Sequence, residues 1–455
     1  CSTACSPPFP CPAERRRPDL VTFPVPTLRF AAVVAASIVV LLAVGSAWVF
    51  WSVETVVLVA AVVDLLLAPS PRRIKVERIM PASGVLDSPL ALAWRVEHPG
   101  GRGLTVSVAD QLAPSLRAGR RRFRVHVARH EVVEVDTTLR PSRRGRFEPT
   151  DVVVRTEGPL GLLARQRSRK LPGRVFVYPR FPSRDEAELR VRRARRQEAG
   201  LRTAQGRGGG TDFDQLRDYT PDDESRRIDW AATARTGRPI VRTYRAEQNQ
   251  VVVTLLDNGR VMAGQVAGVP RVEHAMDAAM ALTSVAARLG DRAGLVAFDA
   301  TVRAVVPPGT GARQVGRVAD VFPELYPVLA ESDYAGAFAD TLARFRRRAL
   351  LVVLTDLVEQ AMLESLLPAL PLIASRHRVI IAAVHDPAVV RWARMAPADA
   401  EEAYRAAAAV DALEERNRSA ARLRGLGATV VDAEPGQLAG KLCDIYLDVK
   451  ATGAL

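Results

Sequence analysis

Apolar residues follow three successive patterns along this chain. From Phe30 to Trp51 run 22 residues without a charge, and a second apolar run, Val53 to Pro69, is broken only by Glu54 at its start and Asp64 near its end. Their lengths suit two helices across a bilayer core, joined by the short WSVET turn. Between 74 and 180 the pattern changes to strict alternation in LALAWRVEH, LTVSVAD, RFRVHVA, EVVEVDTTL, DVVVRTE and RVFVYP. Period-two segments separated by turn residues predict a small antiparallel β-sandwich. Beyond 250, apolar strands alternate with helical stretches: VVVTLLD (251–257), GLVAFD (294–299), ALLVVLTD (349–356), RVIIAAVHD (378–386) and ATVVDA (428–433). That alternation predicts βαβ units around a mostly parallel, Rossmann-type open sheet, an α/β fold. The longest helical stretch stops at Gly425 and Gly427, as helix C-termini often do.

Charge orients the first pattern. Arg15, Arg16, Arg17 and Arg29 precede the first run, Arg72, Arg73 and Lys75 follow the second, and the turn has no basic residue. The positive-inside rule then predicts an inner-membrane protein with two spans, both termini and the bulk of the chain cytoplasmic, and Trp48 and Trp51 at the interface. A competing reading takes the first run as a signal peptide cleaved near Gly45-Ser46-Ala47, which would make the protein an extracytoplasmic adhesion module.

At 455 residues, 48% hydrophobic and 25% charged, the chain is long enough for two or three packed domains. Residues 1–250 carry 42 basic and 26 acidic side chains, against 22 and 24 in residues 251–455, so the positive excess lies in the first half. RAGRRRFR (117–124) and RSRK (167–170) are therefore solvated faces or patches attracted to anionic membrane lipid. Nucleic acid is not expected as a partner, with 5% aromatic residues and no recognition motif. Residues 183–210 turn from charge to glycine and read as a mobile linker with no face to bury. The predicted organisation is a basic, disordered 1–28, a hairpin at 29–70, a sandwich at 74–182, the linker at 183–210, a charged block at 211–248 and the α/β domain at 249–450.

Candidate chemistry lies at the strand ends, since each of the five strands closes on an aspartate. Ligands of open α/β sheets bind beyond the carboxyl ends of the strands. Asp257 and Asp356 end the most continuously apolar, hence most central, strands, whereas Asp299 and Asp432 are expected to cap the next turn or helix. PPGTGAR (307–313) mimics a phosphate loop, but Ala312 occupies the lysine position, so a turn between strand and helix is expected. Six scattered histidines, with His385-Asp386 the one suggestive pair, and four cysteines at 1, 5, 11 and 443 offer no nucleophile apparatus and no zinc spacing.

The alternation, with one aspartate after the first strand and another after a central strand, resembles the von Willebrand factor A fold. The resemblance implies a metal site built from D-x-S-x-S, a threonine on a second loop and an aspartate on a third. Asp257 and Asp356 match the aspartates, Ser332 or Asp333 lies near the threonine position, and Gly259 and Val261 stand at the two serine positions. Neither supplies the side-chain oxygens an octahedral magnesium ion demands, so a degenerate site and no cofactor are expected, with magnesium the ion it would take. LRDYTPDDESRRIDWAATARTGRPIVRTYRAEQ (216–248), with LRPSRRGRFEP (139–149) and GPLGL (158–162), resembles the bacterial family called domain of unknown function fifty-eight. Its members are commonly encoded beside MoxR-type AAA+ ATPases, and the resemblance implies work with such an ATPase and no established enzymatic activity.

Interleaved arginines and acids in that block predict internal ion pairs that clamp sandwich to sheet domain. They equally suit a docking surface of Arg217, Tyr219, Asp222, Arg226, Arg227, Asp229, Trp230 and Arg235, because arginine and tryptophan dominate interface hot spots. The function expected is that of a membrane-anchored adaptor for a MoxR-type ATPase or its client, not an enzyme. The alternative of another class is a metal-dependent hydrolase using Asp257 and Asp356.

Overall fold

The computed structural model describes residues 23–452 except 45, 101–102, 185, 187–188, 193–211, 221–224, 226–227, 246–248 and 359–361. The chain divides into two compact units, Cys1–Val177 and Tyr178–Leu455.

In the first unit the strand β1 (Phe23–Pro26) precedes the helices α1 (Leu28–Val44) and α2 (Ala47–Leu67). Residues 23–28, predicted as the end of a disordered tail, are instead the strand β1 and the start of α1, while 1–22 lie outside the described residues. The break between helices falls earlier than predicted. Ser46 is extended and starts α2, so the WSVET segment lies inside that helix. Glu54 does not force a turn because the Ser37 hydroxyl of α1 donates to its carboxylate. Trp48–Arg73 is the helical stretch among the described residues that is long and apolar enough to cross a membrane.

Ten further strands follow: β2 (Lys75–Ile79), β3 (Ser83–Val85), β4 (Leu90–Glu97), β5 (Leu104–Asp110), β6 (Arg122–Val127), β7 (Val132–Leu139), β8 (Gly145–Phe147), β9 (Asp151–Glu157), β10 (Leu163–Lys170) and β11 (Val175–Tyr178). They form sheets in the orders β1-β10-β9-β5-β6, β2-β4-β7 and β3-β11-β8. One core of inward residues, Trp94, Val106, Val108, Leu139, Val152 and Val154 among them, is shared by strands of different sheets, a sandwich-like arrangement. Buried inside is a polar cluster. Arg78 clamps Asp110 through two bonds of 2.8 and 2.6 Å, and the Trp94 indole donates to the same carboxylate at 2.7 Å.

Asp64, the charge near the end of the second apolar run, explains the GPLGL motif. Its carboxylate is fully buried and accepts the backbone N–H groups of Leu160, Leu162 and Leu163 at 2.7, 2.7 and 3.0 Å. A Cβ on Gly158 would lie 2.3 Å from that carboxylate, and Gly161 has φ +67°, so both positions need glycine for their backbone paths. Thr27, just before α1, holds the same turn through Gly161 and Leu162 carbonyls at 2.6 and 3.0 Å.

In the second unit, β12 (Asp212–Asp218) and β13 (Ile240–Arg245) pair antiparallel around the short helix α3 (Trp230–Thr236). The main sheet contains β14 (Val251–Asp257), β17 (Arg292–Phe298), β18 (Val302–Gly309), β19 (Leu350–Leu354), β20 (Arg378–Val384) and β21 (Thr429–Ala433), with a two-residue ladder of β15 (Gln265–Val266) and β16 (Val269–Pro270) beside it. Its order is β18-β17-β14-β19-β20-β21, parallel except for β18. The strands match the predicted positions to within two residues at either end; β18, whose pattern lacks a strong apolar run, is the strand the periodicity misses.

Helices cover both faces. On one side lie α4 (Arg271–Arg288), α5 (Gly311–Ala319) and α10 (Leu438–Ala451); on the other α6 (Tyr334–Arg344), α7 (Leu367–Ala374) and α9 (Ala400–Gly425), with α8 (Pro387–Arg394) packed on α9. The near-continuous apolar strands follow from this burial. In β14, Val252 and Leu256 enter one core while Val253 and Leu255 enter the other. PPGTGAR is the predicted turn, from the end of β18 into α5.

The predicted linker needs correction at its start. Val191 is buried in the first of those cores, Ser183 donates to buried Asp277 at 2.6 Å, and Arg190 pairs with Asp444. Periodicity could not show this, because a single valine and two polar groups dock the segment; 193–210 lie outside the described residues.

Candidate functional site

The carboxyl ends of β14 and β19 are neighbours, and their aspartates meet different partners. Asp257 is fully buried and accepts four hydrogen bonds from neutral donors: Ser332 Oγ at 2.5 Å, Tyr334 OH at 2.7 Å, Thr355 Oγ1 at 2.6 Å and the Gly259 amide at 2.9 Å. The Tyr334 and Thr355 hydroxyls also touch, 2.8 Å apart. Burial, and then the Asp257 charge, raise the Tyr334 phenol well above its ordinary pKa, so it remains a donor.

Asp356 is instead held by cations. Arg271 Nε lies 3.0 Å from Oδ2, while Arg416 Nη1 and the Leu357 amide donate to Oδ1 at 2.7 and 2.9 Å. The same guanidinium forks onto Asp432 at 2.6 and 2.9 Å, and His385 Nδ1 lies 3.3 Å from that carboxylate. Arg416 thereby ties α9 to two strand ends. Burial works against its charge, but Asp432 and Asp356 together more than offset that, and its pKa is raised.

The four predicted metal-ligand candidates are thus placed differently. Asp257 and Ser332 meet, and Asp356 lies at the adjacent strand end. Asp333 is exposed and caps α6, accepting the Gly336 amide at 2.9 Å. Asp432 was expected to cap a turn and is an ion-pair partner; Asp299 does bind a turn amide, Thr301 N at 3.0 Å, along with Arg303. His385 pairs with Asp432 rather than Asp386, which caps α8 through the Ala388 amide.

A divalent cation does not fit these donors as arranged. The charge of Asp356 is matched by two guanidiniums that would repel a metal, and both Asp257 oxygens are occupied by hydroxyl and amide donors. Among the described residues no group of three or more His, Cys, Asp or Glu is placed to hold a metal.

Gly259 shows why one expected serine is missing. A Cβ there would lie 2.0 Å from Ser332 Oγ and 3.0 Å from the Ala330 carbonyl. Ser332 brings its hydroxyl to Asp257 from a loop 75 residues away in sequence and occupies the space a side chain at 259 would need. Gly259→Ser is expected to cost about 1–3 kcal/mol by overpacking, and adding Ser332→Gly is expected to restore part of it. Urea unfolding of both variants checks this; an unchanged midpoint for Gly259→Ser would show that the loops yield freely.

Sequence reasoning missed Tyr334, Thr355, Arg271 and Arg416. Thr355 and Tyr334 adjoin predicted residues, so strand-end position was a usable signal for them. Arg271 and Arg416 lie 85 and 60 residues from Asp356, with nothing in local pattern to mark them.

The charged block forms its own hairpin with α3. Asp229 caps α3 through the Ala232 amide at 3.0 Å and takes Arg242 at 2.8 Å. These two contacts, in that order, hold its carboxyl below the usual carboxylate range. Arg238 pairs with Asp218, so the predicted internal ion pairing is present here. Arg217 Nη1 donates to the Asp218 carbonyl at 3.1 Å, and the Tyr219 amide to the Pro239 carbonyl at 2.9 Å. Trp230 is 71% exposed and Arg235 is exposed one turn on. Asp222, Arg226 and Arg227 lie outside the described residues.

Comparison with known proteins agrees with the resemblance read from this block. An uncharacterized protein of Mycobacterium bovis and one of Mycobacterium tuberculosis are each 30% identical over 184 residues, 40% of this chain and 56% of theirs. The chain therefore spans about half the length of these curated relatives. A solved protein of unknown function from Porphyromonas gingivalis is 16% identical, covering 24% of this chain and 50% of that chain, with a TM-score of 0.19, too low to bear on the fold. Residues 215–420, which hold most of the α3 hairpin with Asp257, Ser332, Asp356 and Arg416, match the family model described as Protein of unknown function DUF58, so that segment is similar to this family.

Proposed function

We propose that this protein is a membrane-anchored adaptor, not an enzyme, that binds a MoxR-type AAA+ ATPase or that ATPase's client in chaperone-like assembly or remodelling. Two spans with both termini cytoplasmic form its anchor, aided by basic patches facing anionic lipid. The α/β unit is a von Willebrand factor A-like domain that works without metal. Attachment of both Thr27 and Asp64 to one turn supports the two-span hairpin, because the outer ends of α1 and α2 then share a side. The helix-covered open sheet with carboxylates at its central strand ends supports the domain reading.

The observation that carries a binding role is Trp230. A tryptophan 71% exposed on the first turn of a helix held by a doubly bonded N-cap is a rigid anchor offered to solvent. The enzyme reading has less support, since Asp257 spends its hydrogen bonds on internal donors and the charge of Asp356 is paired internally with Arg271 and Arg416. The partner's identity rests on family resemblance alone.

Purified full-length protein in nanodiscs is expected to bind a recombinant MoxR-type ATPase in biolayer interferometry. Trp230→Ala is expected to weaken that binding at least about tenfold, the size of a hot-spot loss. No binding, or equal binding by the variant, overturns the proposal. Titration calorimetry with magnesium and manganese is expected to give no stoichiometric binding. Tight binding abolished by Asp257→Ala, or phosphatase or nuclease turnover by the purified protein that requires Asp257 and Asp356, would establish the hydrolase instead.

A further inference from the structure

β21 is an edge strand: among the described residues it pairs with β20 on one side and with nothing on the other. A groove of ≈ 560 Å³ lies along it, lined by Val430, Val431 and Asp432 of β21 and by residues of α9 and α10. Those two helices cover opposite faces of the sheet, so a groove that both line, together with the edge strand, must run along the open edge between them. An edge strand offers one row of unpaired N–H and C=O groups, the standing template for an added strand.

The walls give the groove its preference. Leu413, Val430 and Ile445 supply apolar surface. The groove's acids are already matched, Asp432 by Arg416 and His385 and Asp444 by Arg190. Arg424 and Lys441 are exposed, and among the described residues neither has an acidic partner. The surplus charge is therefore positive, with apolar patches between.

We infer that this groove binds an extended acidic peptide segment of a partner protein, added to β21 as a further strand, with its carboxylates on Arg424 and Lys441 and alternate apolar side chains against Leu413, Val430 and Ile445. Main-chain pairing supplies affinity in such sites and the flanking side chains supply selectivity. A second copy of this chain is the wrong occupant, because edge-to-edge pairing of two β21 strands would set like charges against one another. The groove shares no residue with the Trp230 surface, so peptide binding here and ATPase binding there hold or fail separately.

Fluorescence anisotropy on full-length protein in nanodiscs tests this with three labelled seven-residue peptides. One alternates glutamate and valine, one alternates lysine and valine, and one is the glutamate–valine peptide N-methylated at alternate residues. The glutamate–valine peptide is expected to bind and the other two to fail. Arg424→Glu and Lys441→Glu, both at exposed positions that leave the cores intact, are each expected to weaken binding about tenfold. Absence of binding, equal binding by the N-methylated or lysine peptide, or indifference to both charge reversals overturns the inference.

Discussion

Replacing Arg416 by methionine is expected to lower the unfolding free energy of the second unit by about 3–5 kcal/mol, the cost of leaving a buried ion pair with one partner missing. Asp356 is 2% exposed and would retain only Arg271 and a backbone amide. Asp432 would lose its bidentate partner at the same time, and α9 its tie to the strand ends. Methionine keeps much of the volume, so the loss reads charge and hydrogen bonding rather than a cavity. A triple replacement, Arg416→Met with Asp356→Leu and Asp432→Leu, is expected to recover most of the loss, since a buried ion cluster replaced whole by apolar groups is often neutral. Urea unfolding followed by circular dichroism measures both. A cost under about 1 kcal/mol for Arg416→Met would mean the network is solvent-screened like a surface pair.

Arg78→Met is expected to destabilise the first unit by a similar amount, about 3–5 kcal/mol. The Arg78 and Asp110 side chains are 1% and 0% exposed. Besides clamping Asp110, Arg78 donates to the Pro149 and Leu171 carbonyls at 2.9 and 2.7 Å. The variant would leave Asp110 with the Trp94 indole as its remaining side-chain partner and would strip the Arg78 bond from both carbonyls, Pro149 keeping the Gly173 amide at 3.1 Å; each buried polar group left unmatched costs about 1–3 kcal/mol. Because Trp94 is fully buried on that carboxylate, its fluorescence should shift to longer wavelength in Arg78→Met and not in a Lys75→Met control at an exposed pair. An unshifted, fully stable Arg78→Met protein would show that Asp110 takes up a proton or a water at little cost.

These two arginines mark the limit of what patterning shows. Each appears in the sequence as one basic residue among 64 Lys and Arg side chains. Hydrophobic periodicity locates a strand because every second residue repeats the same preference, and five of the six main-sheet strands were readable for that reason. A single buried charge has no repeat. Its partner is chosen by which elements pack together, as Asp356 and Arg416 illustrate from 60 residues apart. The Gly259 departure could be read only as a missing ligand, whereas its neighbour Ser332 occupies the space a side chain there would fill. The linker's single valine was equally silent, since one apolar residue sets no period.

By itself the sequence determined the apolar runs of α1 and α2, the antiparallel middle, the parallel sheet with aspartates at its strand ends, and the charged block that carries the family resemblance. Those features are local or periodic, written by the spacing of apolar side chains and by charge along the chain. Only tertiary structure decided that Asp64 caps the GPLGL turn, that Asp257 rests on three hydroxyls while Asp356 rests on two guanidiniums, and that among the described residues β21 has no strand partner on its outer side. Buried charge must be matched in three dimensions, and the match is set by which distant segments the two cores and the sandwich bring into contact.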